Sequence, residues 1–215
     1  MIGQKLELYS EHFAVDTTKT DQLNLSFNVA PTDQVYSVAE FEGERMLGQM
    51  RWGLIPHYSK DRRTIHINAR AETMAEKPAF RSSFIKRRCL IPADGFYEWQ
   101  RMEDGSRLPH FISTDQPMAF AGIWTIWNDK ETNDKLTTCS IITTESDPRI
   151  EPIHERMPVS LAPELWGDWL DKEQENPSTL ISILDANRPG DLRFREVSTM
   201  VNSVRNNDLT LLNEV

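Results

Sequence analysis

"MAFAGIWTI" at residues 118–126 and "TTCSIITT" at 137–144 flank the polar stretch "NDKETNDK" at 128–135. Both flanks are rich in β-branched and aromatic residues, which suit a pleated, half-buried surface. The charged insert between them reads as a hairpin connection, so the two runs are expected to pair antiparallel. Working outward, similar runs occur at 35–41 (VYSVAEF), 46–54, 64–67 and 109–114, and "EDGSR" at 103–107 supplies a second turn through Asp104-Gly105. Helical patterns are fewer, at roughly 4–15, 74–86, 162–171 and 177–186. Pro163, close behind Ser160, fits the first turn of the third. Many short strands with few helices predict an α+β fold built around a mainly antiparallel sheet.

The 215 residues, 39% of them hydrophobic, are enough to bury a core and are expected to form one domain over 1–215. No repeat or low-complexity block divides them, and "DKEQENPS" at 171–178 reads as a loop between helices rather than a boundary. No apolar run approaches the roughly 18 to 20 residues of a membrane span. The start lacks the basic-then-apolar pattern of a secretory signal, and Cys89 and Cys139 are too few for a disulfide framework. A reduced, cytoplasmic setting is therefore expected. A net charge of −9 disfavours bulk attraction to nucleic acid, so such a ligand needs a local basic groove. Lys60, Arg62, Arg63, Arg70, Lys77, Arg81, Lys86, Arg87 and Arg88 form a basic concentration that is either such a groove or an ordinary solvated face.

Several stretches could carry chemistry. In "CLIPADGFYEWQ" (89–100), Glu98 follows a Pro-Ala-Asp-Gly turn and sits between Tyr97 and Trp99. Desolvation among aromatic rings would raise its pKa and suit a general acid or base, although an alternating strand would place a carboxylate there too. "IEPIHERMP" (150–158) puts His154 in a proline-bracketed loop, where catalytic groups tend to sit, although a lone histidine is more often structural. Asn68 and Arg70 in "HINARAE" (66–72) are two apart, so an extended chain turns both to one face, as an anion-binding pair or a hydrogen-bonded structural pair. Asn28 in "FNVAPT" and Trp52 in "RWGLIP" add a polar anchor and a ring on which a base could stack. The histidines and cysteines never approach a metal-ligand spacing, and no glycine-rich phosphate loop occurs, so neither metal nor cofactor is expected. Both cysteines lie among apolar strand residues and read as buried and structural.

In combination and order, "FNVAPT", "RWGLIP", "INARAET", "FRSSFIKRRCLIPADGFYEW", "IITTES", "IHERMPV" and "VSTMVNSVRN" resemble the SOS response-associated peptidase (SRAP) family, whose members shield abasic sites in single-stranded DNA. The resemblance runs nearly end to end. It implies a single α+β domain with a strongly bent, barrel-like sheet, flanking helices and a basic groove for single-stranded DNA. It also implies a link to the DNA-damage response. In that family the mature N-terminus is a cysteine, exposed by removal of Met from a Met-Cys-Gly-Arg start. Its amine attacks the ring-opened abasic aldehyde to form a Schiff base, and its thiol closes a thiazolidine. Carried over residue by residue, Asn68, Glu98 and His154 match the family's active-site amide, acid/base carboxylate and histidine, while Asn28, Trp52, Arg70, Arg81 and Arg156 match positions expected to line the DNA groove.

The start of the chain, Met1-Ile2-Gly3-Gln4, departs from that pattern. Ile2 stands where the cysteine belongs and Gln4 where an arginine is expected, so a thiazolidine crosslink is not expected. Met1 precedes a bulky residue and is expected to stay, leaving its amine as the nucleophile. Three readings follow: an abasic-site processing enzyme with altered, lyase-like chemistry; a single-stranded DNA-binding shield without catalysis; and a peptidase limited to its own N-terminus.

Overall fold

The computed structural model describes residues 1–130, 132–186 and 190–215. Strands β1 (Thr17–Thr18), β2 (Gln34–Phe41), β3 (Glu44–Trp52), β4 (Asn68–Arg70) and β5 (Arg88–Ala93) come first. They are followed by β6 (Phe96–Arg101), β7 (Arg107–Ser113), β8 (Met118–Asn128), β9 (Lys135–Glu145), β10 (Arg156–Pro158) and β11 (Arg193–Glu196). The helices are α1 (Leu6–His12), α2 (Arg81–Lys86), α3 (Trp166–Leu170) and α4 (Pro177–Asp185), with a 3-10 turn at Pro163–Leu165 leading into α3.

The main sheet runs β3-β2-β5-β8-β9, and β9 returns to β3 through the parallel pairs Arg51↔Thr138 and Trp52↔Cys139, closing a five-stranded barrel. Just beyond Trp52 the chain turns out of β3 at Gly53, whose φ of +124° an L side chain rarely adopts. Strand β4 then continues the parallel pairing along β9, with Asn68↔Ile141 and Arg70↔Thr143. A second sheet, β11-β7-β6, carries Glu98 opposite His110.

Because strand side chains alternate, each barrel strand has an inner and an outer row. The inner rows pack Val35, Met50, Cys89, Ile91, Phe120, Cys139 and Ile141, with Trp52 and Trp124 against them. The outer rows, including Tyr36, Val38, Leu90 and Ile123, pack beneath the helices with Tyr9, Phe13, Phe84, Trp166, Trp169 and Leu180. Arg88, almost fully buried, ties these layers: its guanidinium donates to the carbonyls of Phe84, Ile85, Trp169 and Asp171.

The expected α+β class and barrel-like, mainly antiparallel sheet are what the structure contains, and the 118–144 hairpin pairs antiparallel from Gly122↔Ile141 to Asn128↔Lys135. Glu131, within the expected connection, lies outside the described residues. Three expectations require correction. The helix expected over 74–86 occupies only Arg81–Lys86, because Pro78 disfavours helical geometry at Lys77 and the preceding residues form turns. The 64–67 run is not a strand; it makes one isolated bridge, Leu54↔His66, and continuous pairing begins at Asn68. The turn expected over Pro92-Ala93-Asp94-Gly95 starts later, because Pro92 and Ala93 still belong to the fully buried strand β5. Among the described residues, no helix is long and apolar enough to cross a membrane.

Candidate active site

One mouth of the barrel, walled on its far side by the second sheet, opens into a cavity of about 830 Å³. It brings together Met1, Ile2, Asn28, Trp52, Asn68, Arg70, Glu98, His154 and Arg156, drawn from positions scattered over most of the chain. Arg81 does not line it; that residue is exposed at the start of α2. Of the basic concentration between Lys60 and Arg88, only Arg70 reaches this cavity, beside Arg107 and Arg156.

Strand geometry accounts for much of the lining. In β4, Ala69 is buried and Asn68 and Arg70 are exposed, so the amide and guanidinium share one face as their spacing predicts. In β6, Glu98 faces the cavity. Its neighbours instead anchor the second sheet: the Tyr97 hydroxyl donates to the Phe27 carbonyl at 2.8 Å and the Trp99 indole N–H to Asn202 Oδ1 at 2.7 Å. Burial raises the Glu98 carboxyl above its ordinary value, partly opposed by His154, whose Nδ1 lies 3.9 Å from Glu98 Oε2. The upward shift has the cause expected from the sequence, desolvation by burial. His154 Nδ1 sits 2.9 Å from the Arg156 carbonyl oxygen and 3.1 Å from the Arg156 N–H. A neutral ring accepts from that N–H, and a charged ring donates to that carbonyl, so the backbone accommodates either state.

The chain's start is held by a residue that the sequence did not single out. Asp94, in the turn between β5 and β6, accepts from the Gly3 N–H and the Tyr9 hydroxyl through Oδ2, and from Gln4 Nε2 through Oδ1 at 2.8 Å. The Met1 carbonyl accepts from the Asp94 N–H, and the Met1 amine donates to the Gly95 carbonyl at 3.1 Å. A Cβ on Gly95 would strike the Phe111 ring and lie 2.5 Å from the Ile112 carbonyl oxygen, so only glycine permits this close turn. Burial lowers the Met1 amine from 8.0 to about 6, against the opposing charge of Asp94. Ile2, 3% exposed, exchanges both backbone hydrogen bonds with Ser26, and its side chain joins the core beneath the helices.

Several expected groove residues are already occupied. Asn28 donates through Nδ2 to the carbonyls of Val201, Ser203 and Asn206, clamping the C-terminal segment. Arg156 forms a two-point pair with Glu72 at 3.0 Å and also donates to the Thr143 carbonyl. Trp52 donates its indole N–H to the Ile67 carbonyl at 2.9 Å. Sequence reasoning missed Asp94, Tyr9 and Glu72. The one available signal was the Asp-Gly pair of "PADG", which reads as a turn and says nothing of partners some 90 residues away. Among the described residues there is no group of three or more His, Cys, Asp or Glu arranged to hold a metal ion. Cys89 and Cys139 are fully buried, with thiols pushed up by desolvation.

The chain is 40% identical over 207 residues to "Abasic site processing protein YoqW" of Bacillus subtilis, an alignment covering 94% of this chain and 92% of that protein. It is 33% identical over 191 residues to "Abasic site processing protein HMCES" of Gallus gallus, covering 76% of this chain and 56% of that longer protein. Its fold matches a crystal structure of a protein from Bacteroides thetaiotaomicron with a TM-score of 0.84 at 25% identity, over 100% of this chain and 97% of that one. The family described as "SOS response associated peptidase (SRAP)" matches residues 2–204. With that match over nearly the whole chain, beside relatives at 40% identity, the chain belongs to the SRAP family.

Proposed function

We propose that this chain processes abasic sites, binding single-stranded DNA across the cavity mouth and condensing the Met1 amine with the ring-opened sugar aldehyde. The observation that carries this reading is the terminal amine, buried and lowered to about 6, in the same cavity as Asn68, Glu98 and His154. A neutral amine at pH 7 is a nucleophile, whereas an ordinary ammonium at that pH is not. Attack forms the C–N bond, two amine protons are lost and the aldehyde oxygen leaves as water. Glu98, whose carboxyl is shifted upward by burial, supplies an acid to that oxygen and a base to the nitrogen. His154 takes the adjacent proton-transfer role, and Asn68 orients the aldehyde. Trp52 offers a ring for base stacking and Arg70 an exposed cation for a phosphate.

Without a thiol at position 2, the imine is not captured as a thiazolidine. Its fates are hydrolysis or β-elimination, in which the proton at C2′ is removed and the 3′ C–O bond breaks. Intact-mass spectrometry after incubation with an abasic oligonucleotide tests this. The expected result is an adduct only when borohydride reduces the imine, and the protein mass reports directly whether Met1 is present. An adduct stable without borohydride overturns the mechanism. No adduct in either condition, with binding retained, favours the second reading, a non-covalent shield. That reading draws on the burial of Ile2 and on the engagement of Gln4 with Asp94 rather than with a ligand. A peptidase limited to its own N-terminus ranks last, because no paired Ser-His or Cys-His nucleophile lines the cavity among the described residues.

A further inference from the structure

The barrel has a second mouth. On β5, β8 and β9 the main cavity is lined by Ile91 and Ala93, by Phe120, and by Ile141 and Thr143. At the opposite ends of the same strands, and on the same inner rows, lie Arg87, Ile126 with Asn128, and Lys135. The buried Cys89 and Cys139, with Trp124, fill the interior between them. His57 and Ser82 complete the rim of a separate cleft of about 400 Å³.

We infer that this second mouth is a phosphate-binding cleft, built by Arg87, Lys135, His57 and Ser82, that takes the phosphodiester backbone of a nucleic-acid strand extending from the main cavity. Among the described residues its lining offers a guanidinium, an ammonium, an imidazole, a hydroxyl and an amide, and no carboxylate. Among the described residues, Arg62 pairs with Asp129 and Lys86 with Glu175, whereas no salt bridge holds Arg87 or Lys135. Two unneutralised cations converging on one concavity, in a chain of net charge −9, mark a place where an anion is favoured. Arg87 is half-buried and held in place: its guanidinium lies 5.9 Å from the centre of the Trp124 ring and 3.5 Å from Thr125 Oγ1. A pre-positioned planar donor loses less freedom on meeting a phosphate than a free surface lysine does. The cleft also accounts for part of the basic concentration that the main cavity leaves unused, since Arg81 is adjacent to Ser82.

The strand assignment rests on reading the main cavity as a DNA site. Along β9 the six to eight residues from Lys135 to Ile141 and Thr143 span about 20 to 26 Å at roughly 3.3 Å per residue. A strand of several nucleotides reaches both mouths, and a very short one occupies only the main cavity.

Binding of abasic oligonucleotides of about 5 and about 20 nucleotides, measured by fluorescence anisotropy across a salt series, tests the inference. The variants are Arg87→Ala, Lys135→Ala and their combination. Lys135→Glu, at an exposed strand end, keeps the test open if Arg87→Ala fails to fold. For the long oligonucleotide the double variant is expected to bind several-fold more weakly, with a salt slope shallower by about 1.4 for two lost phosphate contacts on a single strand. The short one should bind as before. Equal long-strand affinity in wild type and variants overturns the strand assignment while leaving the main cavity intact. Failure of the wild type to bind either oligonucleotide defeats both readings. Inorganic phosphate, titrated against backbone amide resonances of Ser82, Asn128 and Lys135, identifies the source. Saturable shifts lost in the variants, with unchanged long-strand binding, replace the strand by a free phosphate ligand. Absence of such shifts together with unchanged long-strand binding removes the cleft altogether.

Discussion

The Met1 amine owes its proposed chemistry to its surroundings. Its pKa of about 6 means that half of the amine is protonated, and not nucleophilic, at about that pH. Borohydride trapping should therefore hold a plateau from pH 8 to about pH 7 and fall with a midpoint near pH 6. A midpoint near the ordinary value of 8 would place the amine in water instead of the cavity. Glu98→Gln removes the proposed proton carrier without altering the cavity's shape. The trapping rate should drop about 10²- to 10⁴-fold with DNA affinity unchanged, and a parallel loss of affinity would make Glu98 a binding residue only. Asn68, Glu98 and His154, with Trp52 and Arg70, were legible in the sequence because each sits in a distinctive string of residues. The Asp94 dock was not. A carboxylate that accepts from Gly3, Gln4 and Tyr9 leaves no local pattern, since its partners arrive only through the tertiary fold.

Elements were legible where alternation ran undisturbed, and obscured where proline intervened. The 118–144 hairpin carries a strong strand signal on both arms, and it folds as the sequence suggests. Pro78 shortened a helix that periodicity alone would have extended, and Pro92 disguised the end of a central strand as the start of a turn. In β5 that proline is tolerated among fully buried neighbours, opposite Ala119 on β8. The segment after β11 shows the same dependence on tertiary context, because its irregular turns are held by Asn28 and Asn207 rather than by a ladder of their own. Asn28→Ala leaves three carbonyls without their shared donor, and urea denaturation should register a loss of about 1 to 3 kcal/mol. A change below a few tenths would mean that water replaces the amide without cost.

At the scale of the whole molecule, the terminal amine also shapes the pH dependence of stability. With a folded value of about 6 against 8.0 in an open chain, the unfolded state binds more protons between those limits. Stability from this group therefore rises as pH increases from 6 to 8, by roughly 2 to 3 kcal/mol. Glu98, shifted upward by burial, has the opposite slope in the window starting near the ordinary carboxylate value of 4.5. Thermal melts at pH 6 and pH 8 should resolve the amine's contribution, and blocking the amine by acetylation should abolish that difference. The cavity joins parts of the chain that are far apart in order of synthesis. Asn28 meets carbonyls at 201, 203 and 206, and the Asn207 side chain accepts from the backbone N–H groups of Phe27 and Asn28. On a ribosome, the early segment waits for nearly the whole polypeptide to emerge before that wall can form. The cavity is therefore among the last features of the molecule to assemble, and a nascent chain halted before residue 200 lacks the wall that Val201, Asn202 and Val204 supply beside its N-terminus.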